Sequence, residues 1–600
     1  MNKISIYALT FFLSLSSVTV YSQKNNKQVI FTNEQGSDIF YHTIERGQTV
    51  YAIATMYGVS VEDIYRLNPE SKEGIKAGST LRIPQKNSAI APSGKADNYT
   101  YHTIQPKETL YSLSIKYSVP ATDIIAANPG LSTSTFTAGK NIRIPPTRLE
   151  TLPTTEKKTV QKEMEYTIQK KETMYRICRK FDISSVELLR LNPELKNGVK
   201  AGMVIKIPVA SEEVITQNIR QPEEVNALLS TPKDIKKVNR IQVALLLPFM
   251  TNETTQSSAT SRFVEYYEGL LLAVDSLRNM GTSIELSVYD TGNGTKKVKE
   301  ILKEDALSNA NLIIGAVQND QIGLIADFAQ KHNIKYVIPF TSKNDDVLSN
   351  ANVYQVNTPH SYLYSKAAQA GCDLFSDYNI ILVNIKDKEE KPEFIKAFKT
   401  EMQQRDIPFK EVTYKGDTFA TDIEAAMVRD KRNVVLPTSA SLDAVNKIKA
   451  PLRMLSELKE EEKEPYMVNL FGYPEWQTYT RECLEDFYAL NTYIYSNFYA
   501  DNLSPEVHSF YSDYKNWYSK NLINTFPKYG ILGFDTGMYF LGAINKYGSN
   551  FENNLDKIHY KSIQTGFDFH RVNNWGGFIN TNLFIVHYKN DYTVTRSEVR

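Results

Sequence analysis

Few residues in this chain are spaced for bond-breaking chemistry. It has 600 residues but only eight His and three Cys. His42 and His102 recur at one position of a repeat, yet the third copy has Tyr166 there, which marks a strand surface rather than a metal pair. Cys178, Cys372 and Cys483 lie far apart and form no zinc-binding spacing. Buried free thiols are the expected state, with a Cys372–Cys483 disulfide left open. The stretch GNGTKK (Gly292 to Lys297) follows an apolar strand pattern and suggests a phosphate-cradling loop, but Lys297 stands where the third glycine belongs, so a surface turn is expected. No Gly-x-Ser-x-Gly elbow occurs. Paired carboxylates cleave glycans, and that chemistry stays open as an alternative. Neither a metal nor a cofactor is expected.

Hydroxyl, amide and small apolar side chains recur instead at fixed spacing. TIERGQTVYAIATMYGVSVEDIYRLNP (Thr43 to Pro69), TIQPKETLYSLSIKYSVPATDIIAANP (Thr103 to Pro129) and TIQKKETMYRICRKFDISSVELLRLNP (Thr167 to Pro193) align without a gap. A repeat of this length means one structural unit used three times. In each copy Thr-Ile and its neighbours predict a short strand. Thr49, Thr109 and Thr173 stand where helix N-caps stand. Ile53, Leu113 and Ile177 mark the buried side of a first helix, which Gly58 ends in the first copy. Ser60-x-x-Asp63 and Ser184-x-x-Glu187 predict capping boxes for a second helix, with Pro120 starting it in the second copy. Asn68-Pro69, Asn128-Pro129 and Asn192-Pro193 stop it. An Ala-Gly turn and a closing strand such as Leu81-Arg82-Ile83-Pro84 complete a β-α-α-β unit.

On the ETLY, NP and AG…IRIP blocks the repeat resembles the LysM family over its whole length. The resemblance implies binding of N-acetylglucosamine-containing glycans, chiefly peptidoglycan and chitin, in a shallow groove between the loop after strand one and the loop after helix two. Carried over by position, it assigns Gln48, Thr49, Val50, Asn68, Pro69 and Ile75 to the first groove. The second takes Glu108, Thr109, Leu110, Asn128, Pro129 and Phe136. The third takes Glu172, Thr173, Met174, Asn192, Pro193 and Val199. The glycine common in the family's first loop is Gly47 here, and Lys107 and Lys171 replace it in the other copies. Three weak sites on one chain suit a polymeric ligand, because avidity multiplies affinity by roughly 10²–10⁴.

Residues 1–22 have the form of an export signal: Lys3, then an apolar run from Ile4 to Val20, with cleavage expected near Ser22–Gln23 and no Cys nearby for a lipid anchor. The run is short and broken by Ser14, Ser16 and Ser17, which disfavours a membrane anchor, and no later segment is long enough to span a bilayer. The repeats are expected at 40–85, 100–146 and 165–209. Polar linkers are expected at Gln85 to Asn98 and Thr147 to Glu163, and a charged one over 210–239. With 69 basic against 68 acidic residues, the charge is balanced. That argues against nucleic acid or anionic lipid as a general partner.

From Arg240 the pattern changes. IQVALLLPF (Ile241 to Phe249) is a continuous apolar run, as buried parallel strands are. Helical and strand patterns then alternate: YYEGLLLAVDSLRNMG, IELSVYDT, KKVKEILKEDAL, NLIIGAV, QIGLIADFAQKHN, KYVIPFTS. A second series follows, with YNIILVNI, PEFIKAFKTEMQQRD, RNVVLPTS and PYMVNLFGY. Two such series predict two doubly wound α/β lobes with a cleft between them over 240–600. The chain as a whole is therefore multidomain, α+β in the repeats and α/β beyond them.

On ALLLPF, YEGLLLAVD, VYDTGN, the stretch from Leu312 to Ser342 and the late GFDTGMYFLGAI, this half resembles the type I periplasmic binding proteins, in the branch that includes amino-acid-transport receptors. The tail GFDFHRVNNWGGFINTNLFIVHY is similar to the closing hairpin of that fold. The resemblance places cleft loops at Pro248 and Phe249, Ala316 to Asn319, and Thr341 and Ser342. In the second lobe it places them near Asn384, Thr438, Ser439, Gly472 and Tyr473. Gln318 and Asn319 stand where amino-acid receptors present hydroxyls to a carboxylate, so a free amino acid is not the expected ligand. The expected protein is periplasmic, bound to the cell wall and non-catalytic, and carries a domain for a small solute or an envelope protein. The alternatives are a scaffold for wall enzymes with a vestigial cleft, and a peptidoglycan hydrolase.

Overall fold

The computed structural model describes residues 39–44, parts of 49–84, 99–146, 156–215, 222–230 and 237–599, with short gaps at 139, 182, 252–257, 343, 345, 359 and 458–463. The expected export signal, Gln48, Gly58, Ser60 and the linker expected from Gln85 to Asn98 lie outside the described residues. Those described fall into two compact units: 1–107, 127–143 and 232–600 form one, and 108–126 with 144–231 the other.

Each repeat forms the expected strand–helix–strand frame. In the first, β1 (Ile39–Thr43) pairs antiparallel with β2 (Thr80–Pro84), and α1 is Val61–Leu67. The second has β3 (Thr100–Thr103), α2 (Leu110–Tyr117), α3 (Ala121–Ala127) and β4 (Asn141–Ile144). The third has β5 (Glu156–Thr167), α4 (Met174–Lys180), α5 (Ser185–Leu191) and β6 (Val204–Ile215). Ile53, Leu113 and Ile177 are fully buried, as their spacing predicts.

The caps follow the sequence with one exchange. Ser184 accepts from the Glu187 amide at 3.1 Å, but Glu187 turns its carboxylate to Arg190, 2.7 Å away, and the box is half made. The reciprocal box lies at Thr109 and Ser112, where a serine hydroxyl replaces the usual Glu. The strands β5 and β6 pair without interruption from Glu156↔Ile215 to Thr167↔Val204. That ladder runs into both segments expected as linkers. Once one antiparallel pair is in register, each further residue adds ladder bonds, whatever its polarity. Beyond it, α6 (Pro222–Ala227) occupies part of the expected 210–239 linker.

The larger domain is two seven-stranded sheets. The first has the order β17-β18-β11-β10-β9-β7-β8, and the second β13-β12-β14-β15-β16-β19-β20. In lobe one, β7 is Ile241–Leu247, β8 Ile284–Asp290, β9 Leu312–Gly315, β10 Lys335–Ile338 and β11 Val353–Gln355. In lobe two, β12 is Asn379–Asn384, β13 Phe409–Thr413, β14 Asn433–Pro437, β15 Val468–Gly472 and β16 Tyr493–Ser496. The hairpin β17 (Phe569–Arg571) and β18 (Phe578–Asn580) closes lobe one, and β19 (Phe584–Tyr588) with β20 (Val594–Glu598) closes lobe two. The first five strands of each lobe are parallel, in spatial order 2-1-3-4-5. This is a doubly wound α/β arrangement, with its switch point beside the first strand.

The chain passes between lobes after β11, after β16 and after β18. Asn580 ties the passages. Its Nδ2 donates to the Val356 and Gly566 carbonyls at 3.3 and 2.8 Å, and its Oδ1 accepts from the Asp568 and Asn582 amides at 2.9 and 3.2 Å. Each lobe has its own apolar core around its sheet. Cys372 and Cys483 are buried free thiols and Cys178 is a half-buried one. Burial pushes the Cys372 thiol up to about 12, which keeps it unreactive.

Candidate functional site

The loop after the first strand is built alike in copies two and three. Lys107 and Lys171 take φ values of 71° and 68°, the left-handed conformation that a glycine adopts freely. Both lysines therefore make a turn in which a glycine would carry no strain. Glu172 holds the third copy's loop from inside: it accepts from the Gln169 amide at 2.8 Å and the Tyr166 hydroxyl at 2.9 Å, and Lys180 lies 3.5 Å away. Thr173 caps α4 through the Arg176 amide, and Thr109 caps α2. Both threonines are exposed, Met174 is half-buried and Leu110 is buried. In the first copy Thr49 is half-buried and Val50 buried. Lys171→Gly should raise stability of the third repeat by about 1 kcal/mol, because a non-glycine residue pays roughly that much in this conformation. A rise in urea midpoint checks it.

The asparagines of the Asn-Pro pairs are clamps. Asn192 donates to the Lys206 carbonyl at 2.8 Å and accepts from the Lys206 amide at 2.6 Å. Asn128 makes the same pair of bonds with Arg143, at 2.7 and 2.8 Å. Asn68 donates to the Ile64 carbonyl at 2.8 Å. All three are buried, so they brace the loops that follow the second helix. Pro69 and Pro193 are exposed, while Glu108, Pro129 and the loop residues Ile75, Phe136 and Val199 are half-buried.

In the two-lobed domain, ligands of such sheets sit beyond the carboxyl ends of the strands at the switch point. In lobe one those ends carry Pro248 and Phe249 after β7, Ala316 to Gln318 after β9 and Thr341 and Ser342 after β10. Pro248 is buried, Phe249, Gln318, Thr341 and Ser342 are half-buried, and Asn319, which opens α8 (Asn319–His332), is exposed. Gln318 is turned toward the loop after β8: its Oε1 accepts from the Gly294 amide at 3.0 Å and its Nε2 donates to Asn293 at 3.2 Å. Buried Gln321 donates to the Gly292 and Gly294 carbonyls. The amide of Gly292 goes to Asp290 at 3.0 Å, and Lys297 lies 3.0 Å from the same carboxylate. The GNGTKK loop thus spends its two glycine amides on the side chains of Asp290 and Gln318.

Two half-buried carboxylates organise these loops, and no sequence signal singles out either. Asp290 also accepts from the Met250 and Thr251 amides and the Thr251 hydroxyl, at 3.2, 3.1 and 2.7 Å. Burial alone would raise its carboxyl, but the bonds from Thr251, Lys297 and Gly292 outweigh that and hold it well below the usual range. In lobe two, Asp387 accepts from the Ser439 and Ser441 hydroxyls, each at 2.6 Å, and from the Glu389 amide at 2.8 Å. Its carboxyl is likewise lowered against the effect of burial. Thr438 bonds across to Ile385, and Asn384 to Glu411. Tyr473 is fully buried among Phe394, Trp476 and Tyr495, and its hydroxyl donates to the Pro437 carbonyl at 2.7 Å. It packs lobe two and shows no face to a cleft. Gly472 before it is buried too.

What remains on the carboxyl edge of lobe one is aromatic. Phe340 stacks on Tyr529 with centroids 5.7 Å apart and meets Phe263 edge-on at 5.3 Å, and Phe249 meets Tyr267 at 5.8 Å. Among the described residues no cluster of His, Cys, Asp and Glu could hold a metal ion, and no helix is long and apolar enough to cross a membrane.

The LysM domain family matches residues 42–84, 102–145 and 166–208. The chain is 23% identical over 159 residues to the N-acetylmuramoyl-L-alanine amidase sle1 of Staphylococcus aureus, covering 25% of this chain and 47% of that one. It is 28% identical over 175 residues to an autolysin of Enterococcus faecalis, covering 27% and 23%. The chain thus spans under half the length of these relatives, and the match runs through the LysM segments. Of solved structures, a branched-chain amino acid ABC transporter periplasmic ligand-binding protein of Burkholderia xenovorans aligns at 12% identity and a TM-score of 0.40, over 60% of this chain and 95% of that one. Three LysM domains therefore precede a two-lobed, doubly wound α/β domain.

Proposed function

We propose that this is an exported, non-catalytic protein of the bacterial envelope, held to peptidoglycan by its LysM domains and presenting the two-lobed domain to a partner. The three LysM matches carry the reading. Exposed Thr109, Thr173, Pro69 and Pro193 leave shallow loops suited to N-acetyl groups rather than a deep catalytic cleft. The polar side chains Gln318, Thr438 and Ser439 are already bonded to neighbouring loops, at Gly294, Ile385 and Asp387. That favours a protein partner over a small polar solute, because prising those bonds open would cost about as much as a new contact returns. Periplasmic location and wall association follow from the same reading.

Purified sacculi should sediment the mature full chain, and a chain lacking 24–209 should stay in the supernatant. Equal sedimentation of both would refute the anchoring claim. Release of muropeptides during the same incubation would establish the hydrolase instead.

A further inference from the structure

The second LysM repeat differs from the other two in one residue that matters. After the Asn-Pro pair, copies one and three have Glu70 and Glu194, and copy two has Gly130. Against that glycine lies the turn between β17 and β18. The Gly130 amide donates to the Asn574 carbonyl at 2.8 Å, and Asn574 Nδ2 donates to the Asn141 carbonyl at 2.9 Å. The Arg143 guanidinium lies over the Trp575 ring, 5.1 Å from its centroid. A Cβ on Gly130 would sit 2.6 Å from Arg571 Cδ and 3.1 Å from the Asn574 carbonyl oxygen. The glutamate of the other copies would have to push aside Arg571 and the turn that carries it.

The turn is shaped for this contact. Asn573 Oδ1 gathers the Trp575 amide at 2.9 Å and the Gly576 amide, Asn573 Nδ2 reaches the Leu348 carbonyl at 3.0 Å, and Arg571 donates to the Gly576 carbonyl at 2.6 Å. Asn574 is left at the tip, offering one carbonyl acceptor and one amide donor. An N-acetyl group offers the same two: a carbonyl oxygen and an N–H.

We propose that the β17–β18 turn is a tethered occupant of the second repeat's groove loop, held by the donor–acceptor pair that an N-acetylglucosamine would use, so that glycan reaches this repeat only when the turn leaves. This rests on the glycan-binding reading above. The second repeat then reports glycan engagement to lobe one, since β18 pairs with β11 in its sheet, and repeats one and three supply the standing attachment.

Amide hydrogen exchange on the full chain tests it, with the hexamer of N-acetylglucosamine as probe. Saturating hexamer should protect residues 166–208 and speed exchange over 571–577 on the order of tenfold, the effect of losing two hydrogen bonds. Gly130→Glu should show the fast exchange at 571–577 without glycan, and hexamer should add nothing to it. Protection at 166–208 with no change at 571–577 would overturn the competition while leaving the proposed function standing. No protection in any repeat would overturn both. Slow exchange at 571–577 in folded G130E would show that the turn is held by something other than this loop.

Discussion

Gly533→Val should destabilise the two-lobed domain by at least about 3 kcal/mol, seen as a lower urea midpoint and a lower yield of folded protein. The helix α7 (Ser258–Asn279) and the helix α9 (Tyr529–Tyr547) pack backbone to backbone. A Cβ on Gly533 would lie 2.0 Å from the Tyr266 carbonyl oxygen, one on Gly269 1.8 Å from the Gly530 carbonyl oxygen, and one on Gly537 2.7 Å from Ala273 Cβ. Gly530, Gly533 and Gly537 share one face of α9, and Gly269 and Ala273 share one face of α7. Overpacking a side chain against another side chain costs about 1–3 kcal/mol, because rotamers can give way. Here the obstacle is a carbonyl fixed in a helix, so whole helices must part. Parting them also exposes Leu270, Phe540 and Ile544, which are buried around that seam. A Gly533→Val protein of unchanged midpoint would mean that the helices sit further apart than described.

Asp535→Asn should cost about 2–3 kcal/mol. Asp535 is fully buried in α9, and its Oδ1 accepts from the Tyr560 hydroxyl and the Ile563 amide, both at 2.9 Å. Its Oδ2 accepts from the Gln564 and Thr565 amides at 2.9 and 2.8 Å. An asparagine turns an NH₂ toward two of these donors, whichever way it flips, and leaves at least one buried N–H unpaired. Burial is the larger influence and pushes the carboxyl up to about 6, against the pull of those four donors. The folded state therefore takes up a proton before the unfolded chain does, whose aspartate titrates near 3.9. This adds stability that is complete below about pH 4 and fades as pH rises through 6. Wild type should gain on D535N by up to about 3 kcal/mol between pH 7 and pH 4. A gap in urea midpoints that stays constant over that range would mean the carboxylate is not the titrating group.

What was readable beforehand depended on how far apart the interacting residues lie. Thr109, Thr173 and Ser184 cap helices because the amides they satisfy are three residues away, and that distance is visible in the sequence. The buried faces of the repeat helices and the apolar parallel strands follow from periodicity for the same reason. The stretch KKVKEILKEDAL, expected as one helix, breaks into Lys296–Ile301 and Asp305–Ser308. The family resemblance assigns the Asn-Pro asparagines to glycan, yet Asn128 and Asn192 brace strands 15 and 14 residues away. The resemblance places Tyr473 at a cleft, whereas its ring and hydroxyl meet strands on both sides of β15. In each case the local signal was sound but the partner lay beyond any local window.

Three copies of a β-α-α-β unit, two α/β series behind them and a scarcity of catalytic side chains can all be read along the chain. These rest on short-range periodicity, capping and composition, which need no partner. The 2-1-3-4-5 order of each lobe, the roles of Asp290, Asp387 and Asp535 in gathering amides and hydroxyls, and the seating of Asn574 on Gly130 emerge in three dimensions alone. Those depend on which distant segments meet. That choice is set by the summed burial of whole sheets and helices, and no single stretch of residues carries it.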